Sequence, residues 1–283
     1  MSPPPPNNQP TSTTPPDNQP GAPGARRRIR AEILIVLGLS LGASAVYATL
    51  ALADRLTAAV PLAQQTASLN TSDSPKPWLD LLYQLAGIAF ALVPVALALY
   101  LLAGAAPSQG KPALGRAGVL APGAAKLGLT LTQPLRDLGW AAVLAGGIGL
   151  PGIGLYLAGR GLGITAHIST ASLGAYWWTV PVLVLAAAKN GLLEEVIAVG
   201  YLGRRLADLG WAPPVWIAAS AALRGSYHLY QGIGPFLGNA VMGAVFAWFY
   251  HRRGRVMPLV AAHTLIDVVA FVGPSLVNPA WLT

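Results

Sequence analysis

The sequence predicts an all-α protein: a polytopic bundle of about seven transmembrane helices behind a disordered, Pro-rich N-terminal tail. Three observations predict it. Of the 283 residues, 54% are hydrophobic and only 10% are charged, where soluble domains carry about 25% charged residues; mean hydropathy is +0.53. Apolar runs long enough to span a bilayer recur along the chain. The basic residues gather on alternate connections between those runs. Cysteine is absent, which excludes disulfide frameworks, thiolate metal sites and cysteine nucleophiles. Any metal must therefore be held by His, Asp and Glu.

Residues 1–25, "MSPPPPNNQPTSTTPPDNQPGAPGA", have almost no large apolar side chains. They cannot offset the entropy of ordering. With the following "RRRIR" they read as a disordered cytoplasmic tail over 1–30. An apolar run from about Ile33 to Ala53 comes next. It is longer than the ~7–15-residue core of a secretory signal and reads as a retained anchor. Further spans are expected near 79–103, 138–159, 177–203, 214–232, 234–251 and 256–276. Residues 31–134 then hold the first spans and a cytoplasmic loop over 104–137.

The charges test this arrangement. With a cytoplasmic N-terminus, the inside segments 26–30, 104–137, 204–213 and 252–255 hold thirteen Lys and Arg, including Lys111, Arg116, Lys126 and Arg136. The outside segments hold three: Arg55, Lys76 and Arg160. This positive-inside bias predicts the orientation and a multi-pass protein of the plasma membrane. The net charge of +8 is thus topological. The expected partner is a bilayer and not a nucleic acid.

Glu194, Glu195 and Asp267 break the membrane pattern, beside Lys189, Arg224, His228, Asn239 and His263. An ionisable group at a helix centre costs about 2.5–3.5 kcal/mol on insertion scales, so its default reading is functional or paired. Asn190 and Glu194, Arg224 and His228, and His263 and Asp267 are each four residues apart and share a helix face. Three spans each present a polar pair. Two carboxylates and two imidazoles around one wet cavity suffice to activate water and bind an oxyanion. The alternative is a divalent metal such as zinc, held by Glu194, His228, His263 and Asp267.

At these residues the sequence resembles the CAAX-protease and bacteriocin-processing (CPBP, or Abi) family of intramembrane endopeptidases. Its Glu-Glu-x-x-x-Arg, Phe-x-x-x-His and His-x-x-x-Asn/Asp motifs correspond to "EEVIAV" at 194–199, "LRGSYH" at 223–228 and "HTLID" at 263–267. Order, spacing and placement on successive spans agree over roughly 135–276, so 135–283 is taken as the catalytic membrane domain. Two positions depart: Val199 stands where the motif has Arg, and Arg224 where it has Phe. The resemblance implies a membrane protein or peptide substrate. It assigns water activation to Glu194 with His228, oxyanion stabilisation or metal binding to His263 and Asp267, and a supporting part to Glu195. Arg224 is a candidate replacement for the missing cation, with Asn190 and Asn239 as supporting residues. A His-Glu-x-x-His signature is absent.

Competing readings are a non-catalytic scaffold of the same fold, for which Val199 is the hint, and a proton-coupled transporter relaying through Glu194 and His228. Tyr227, Tyr230 and Trp248 read as ordinary aromatic packing, and Asn239 as either a cavity residue or an interhelical bond. A straight 214–232 span would place His228 roughly 22 Å deep and Glu194 roughly 13 Å at ~1.5 Å per residue. The site therefore requires that span to be short, kinked or re-entrant near Gly225.

Overall fold

The computed structural model describes residues 23–104 and 118–276. Most of residues 1–30, with much of the loop that includes Lys111 and Arg116, lie outside the described residues. The rest is helical: α1 (Pro23–Gly38), α2 (Leu41–Thr57), α3 (Pro77–Ala91), α4 (Val93–Ala103), α5 (Ala121–Lys126), α6 (Pro134–Gly161), α7 (Thr179–Glu194), α8 (Leu202–Asp208), α9 (Pro213–Ser226), α10 (Ile233–Arg253) and α11 (Met257–Leu276). A parallel pair of three-residue strands, Thr66–Ser68 with His167–Ser169, joins two loops. Two boundaries differ from expectation. Residues 23–30 open α1 instead of closing the tail, and α5 lies inside the expected loop.

Among the described residues, four segments are long and apolar enough to cross a membrane: Pro77–Ala103, Pro134–Gly161, Ile233–Arg253 and Met257–Pro274. A fifth is formed if α1 and α2, bent by 52° at their junction, count as one span. This is a polytopic helical membrane protein. The two remaining expected spans, 177–203 and 214–232, are helical but built otherwise. The first runs as α7 to Glu194 and then widens into a π-helical segment, Glu195–Tyr201, before α8. The second, α9, has 14 residues and so about 21 Å of length, short of the ~30 Å hydrocarbon core.

Proline explains where several helices start. Pro77, Pro94, Pro134 and Pro213 sit in first turns, where the missing N–H has no partner to lose. The turn between α9 and α10 depends on Gly232 at φ 117°, whose backbone passes so close to Ile164 that an added Cβ would lie 2.5 Å from its carbonyl oxygen.

The core is centred on the π-helical segment. All seven of its residues are buried, packed with Leu99, Leu102, Leu127, Phe246 and Leu259. Helix α7 packs on α11, α11 on α6, and α9 on α10. Gly191 sets the α7–α11 approach: a Cβ there would meet Thr264 Oγ1 at 2.6 Å and the Val260 carbonyl at 2.8 Å. Small residues at such crossings let backbones approach where lipid gives no hydrophobic drive. The N-terminal helices are tied in by a buried ion pair, Arg205 donating to Glu32 at 2.6 Å.

Candidate active site

The acids sit where α7 changes helical form. Glu194 is the last residue of α7 and Glu195 the first of the π-helical segment. Such wider turns recur at functional sites, since they alter the register of side chains along a helix. Opposite them, α9 ends at Ser226, so Tyr227 and His228 lie in the turn that follows it. The short helix brings His228 Nε2 to 3.9 Å from Glu194 Oε2. The requirement that the fifth expected span be short is met, and the estimate of His228 far below Glu194 is corrected.

His263, one and a half turns into α11, completes the contact. Its Nδ1 lies 2.7 Å from Glu195 Oε1, which leaves Nε2 facing Glu194 Oε2 at 3.9 Å and Asp267 Oδ1 at 3.7 Å. Asn190 donates from α7 to Asp267 Oδ2 at 2.8 Å, and Lys189 donates to Asn190 Oδ1 at 2.5 Å. Glu194, Glu195, Arg224, His228, His263, Asp267 and Asn190 are thus brought together. Asn239 is not: its amide donates to Pro235 within its own helix at 3.0 Å. A carbonyl one turn back satisfies that donor within α10.

Arg224 occupies the centre of the cluster. Its guanidinium donates to Glu195 Oε1, and both side chains are 0% exposed. It lies 4.0 Å from Glu194 Oε2 and stacks over the Phe246 ring, 5.4 Å from the centroid. A buried carboxylate without a cation would carry a large desolvation cost. Helix α9 therefore supplies the positive charge that Val199 cannot.

Sequence reasoning passed over Tyr227. Its hydroxyl donates to Glu194 Oε2 at 2.7 Å, and its ring lies against His228 with centroids 4.8 Å apart. Its adjacency to His228 was the available signal, but a Tyr beside a membrane helix end has an ordinary interfacial explanation. Among the described residues, both ring nitrogens of His228 are buried without a protein hydrogen bond. With Glu195 Oε2 and Arg224 Nε and Nη1, they are polar atoms of the cluster that no protein group satisfies among the described residues.

As arranged, the donor pairs Glu194–His228, Glu194–His263 and His263–Asp267 stand somewhat wider than the ligands of a zinc site. Tetrahedral ligands at ~2.0–2.1 Å from zinc lie about 3.3 Å apart, whereas Glu194–His228 and Glu194–His263 are 3.9 Å apart and His263–Asp267 3.7 Å. Glu194 Oε2 is also engaged by Tyr227. No group of three His, Asp or Glu among the described residues is set to hold a metal ion.

No curated protein and no solved structure matches the chain. Residues 176–269, which include every member of the cluster, match the family model Rce1-like, described as type II CAAX prenyl endopeptidase Rce1-like. That match agrees with the motif order at Glu194, His228 and His263, and it identifies this segment as CAAX-endopeptidase-like, consistent with the CPBP family.

Proposed function

We propose that the protein is an intramembrane endopeptidase that hydrolyses peptide bonds of membrane-associated substrates, with Glu194 as the base that activates water. The observation that carries this reading is the setting of Glu194. Its Oε2 is fixed by Tyr227 and faces one nitrogen from each of two imidazoles at 3.9 Å. A water between these groups can give its proton to Glu194 as its oxygen adds to the scissile carbonyl carbon. His263, in its protonated form, presents Nε2–H to the oxyanion while Glu195 holds Nδ1. The tetrahedral intermediate collapses when Glu194 returns the proton to the departing amide nitrogen, giving an amine and a carboxylic acid, which passes its proton to the amine or to water.

Asp267 acts in this scheme as an acceptor. An ionised carboxylate has no proton to donate, and its oxygens face Asn190 and His263. Arg224 and Glu195 orient His263 from behind. The reaction runs without a metal step. The charge bias of the loops supports a cytoplasmic N-terminus, and with it cleavage near the cytoplasmic leaflet of the plasma membrane. The scaffold reading drew its support from the missing motif Arg, and Arg224 removes that support.

The test is cleavage of a panel of membrane-tethered peptides, prenylated CAAX peptides among them, by the reconstituted full chain. Glu194→Gln and His263→Ala are each expected to abolish cleavage while helical content is unchanged. Cleavage indifferent to both substitutions would refute the assignment.

A further inference from the structure

A second polar centre lies away from this cluster, where α6 begins and α10 ends. A cavity of about 160 Å³ there is lined by Gln133, Arg136, Asp137, Trp140, Arg253 and Arg255, among others. It adjoins a wider recess of about 410 Å³ lined by Trp140, Trp248, Phe249, Arg252 and Arg253. The two share Trp140, Phe249 and Arg253 and form one surface across two membrane-spanning helices.

The charge in this recess is uncompensated. Four guanidinium groups face one acid, and Asp137 is already committed to Arg255 through contacts of 3.0 and 2.5 Å. Among the described residues, Arg136 donates to the neutral Gln133 side chain, at 3.1 Å, and to no acid. The Arg253 guanidinium lies over the Trp140 ring, 4.5 Å from its centroid, and that of Arg252 over Trp248 at 5.9 Å. Stacking holds a guanidinium plane in place while leaving its N–H edge free to donate. Fixed forks of this kind match the oxygens of a phosphate.

The apolar surroundings decide what carries the phosphate. The same two helices expose Leu135 (85%), Leu138 (59%) and Trp248 (54%), a surface that suits acyl chains and no soluble anion. Basic pockets between transmembrane helices at the membrane surface are the setting in which anionic headgroups are held.

We propose that the recess between the start of α6 and the end of α10 binds the headgroup of an anionic phospholipid through Arg136, Arg252 and Arg253, with Trp140 and Trp248 as stacking platforms. The site is independent of the peptidase assignment, and its occupancy can be measured without any substrate.

The test uses native mass spectrometry of the full chain in detergent, titrated with phosphatidylglycerol or phosphatidylcholine. Wild type is expected to retain phosphatidylglycerol in preference to phosphatidylcholine. Arg252→Gln with Arg253→Gln is expected to weaken that retention about thirty-fold, from the contribution of two basic residues near a lipid surface. Arg27→Gln with Arg30→Gln removes the same charge from exposed positions of α1 and is expected to leave retention unchanged. Soluble glycerol phosphate is expected not to displace the lipid. Equal retention by wild type and the Arg252/Arg253 variant would overturn the proposal, as would equal loss in the α1 variant or no preference between the lipids. Displacement by glycerol phosphate at equal concentration would show a plain phosphate site and overturn the lipid assignment.

Discussion

Arg224 of α9 donates to Glu195 of the π-helical segment, with both side chains wholly removed from solvent. The same Glu195 oxygen lies 2.7 Å from His263 Nδ1. One cation therefore fixes a carboxylate that in turn fixes an imidazole, and three separate helical segments are locked to one another by two polar contacts. Breaking a buried pair by removing one partner costs about 3–5 kcal/mol, because the survivor is left charged and unpaired. Arg224→Met is expected to lower the melting temperature markedly. Arg224→Met with Glu195→Gln removes both charges and is expected to regain most of that stability. Its kcat should stay depressed by about a hundredfold, the cost of misplacing a group near the chemistry. Recovery of activity along with stability would mean the pair is structural only.

Tyr227→Phe deletes one hydroxyl and preserves the ring that packs on His228. A hydrogen bond to a charged group contributes about 1.5–3 kcal/mol. The expected outcome is a fall in kcat of tenfold or more with KM little changed, read from steady-state cleavage. An unchanged kcat would remove Tyr227 from the site.

Asp267→Asn distinguishes an acceptor's role from a charge. The amide keeps a carbonyl oxygen for Asn190, while its N–H lies toward His263 at 3.7 Å, beyond hydrogen-bond reach, so cleavage is expected to persist. Asp267→Ala leaves the Asn190 amide without its 2.8 Å partner and is expected to lose most activity. Equal activity of the Asn and Ala variants would contradict a positioning role.

Donor spacings of 3.7–3.9 Å carry a further expectation. Exhaustive treatment of the purified protein with a strong chelator, followed by elemental analysis and assay, should leave cleavage intact. Loss of activity restored by added zinc would show that the side chains close around a metal during the reaction.

Much of the site was legible in the sequence because lipid makes polar residues conspicuous. Glu194, Glu195, His228, His263 and Asp267 stood out against apolar spans, and the structure brings all five together. Long, uniformly apolar segments such as 79–103 and 256–276 were also legible, since length and hydropathy suffice to find them. The shape of α9 was harder. Residues 214–232 are apolar enough to pass for a span, and nothing local in "LRGSYH" shows that the helix ends at Ser226. The turn that follows it is set by a tertiary contact, Gly232 against Ile164, far away in sequence. The π-helical segment has no composition cue either, for its stability comes from complete burial among four other helices. Asn239 stands apart from the cluster: a polar side chain within a helix can be satisfied by its own backbone, and spacing alone cannot show that it is.

The central claim is that Glu194 activates a water molecule that ends in the product. Cleavage of a membrane-tethered reporter peptide in oxygen-18 water, followed by mass spectrometry of the new C-terminus, tests it most directly. The account predicts one labelled oxygen in the newly formed carboxylate with wild type and no labelled product with Glu194→Gln. Labelled product released by the Glu194→Gln variant at the wild-type rate would contradict it.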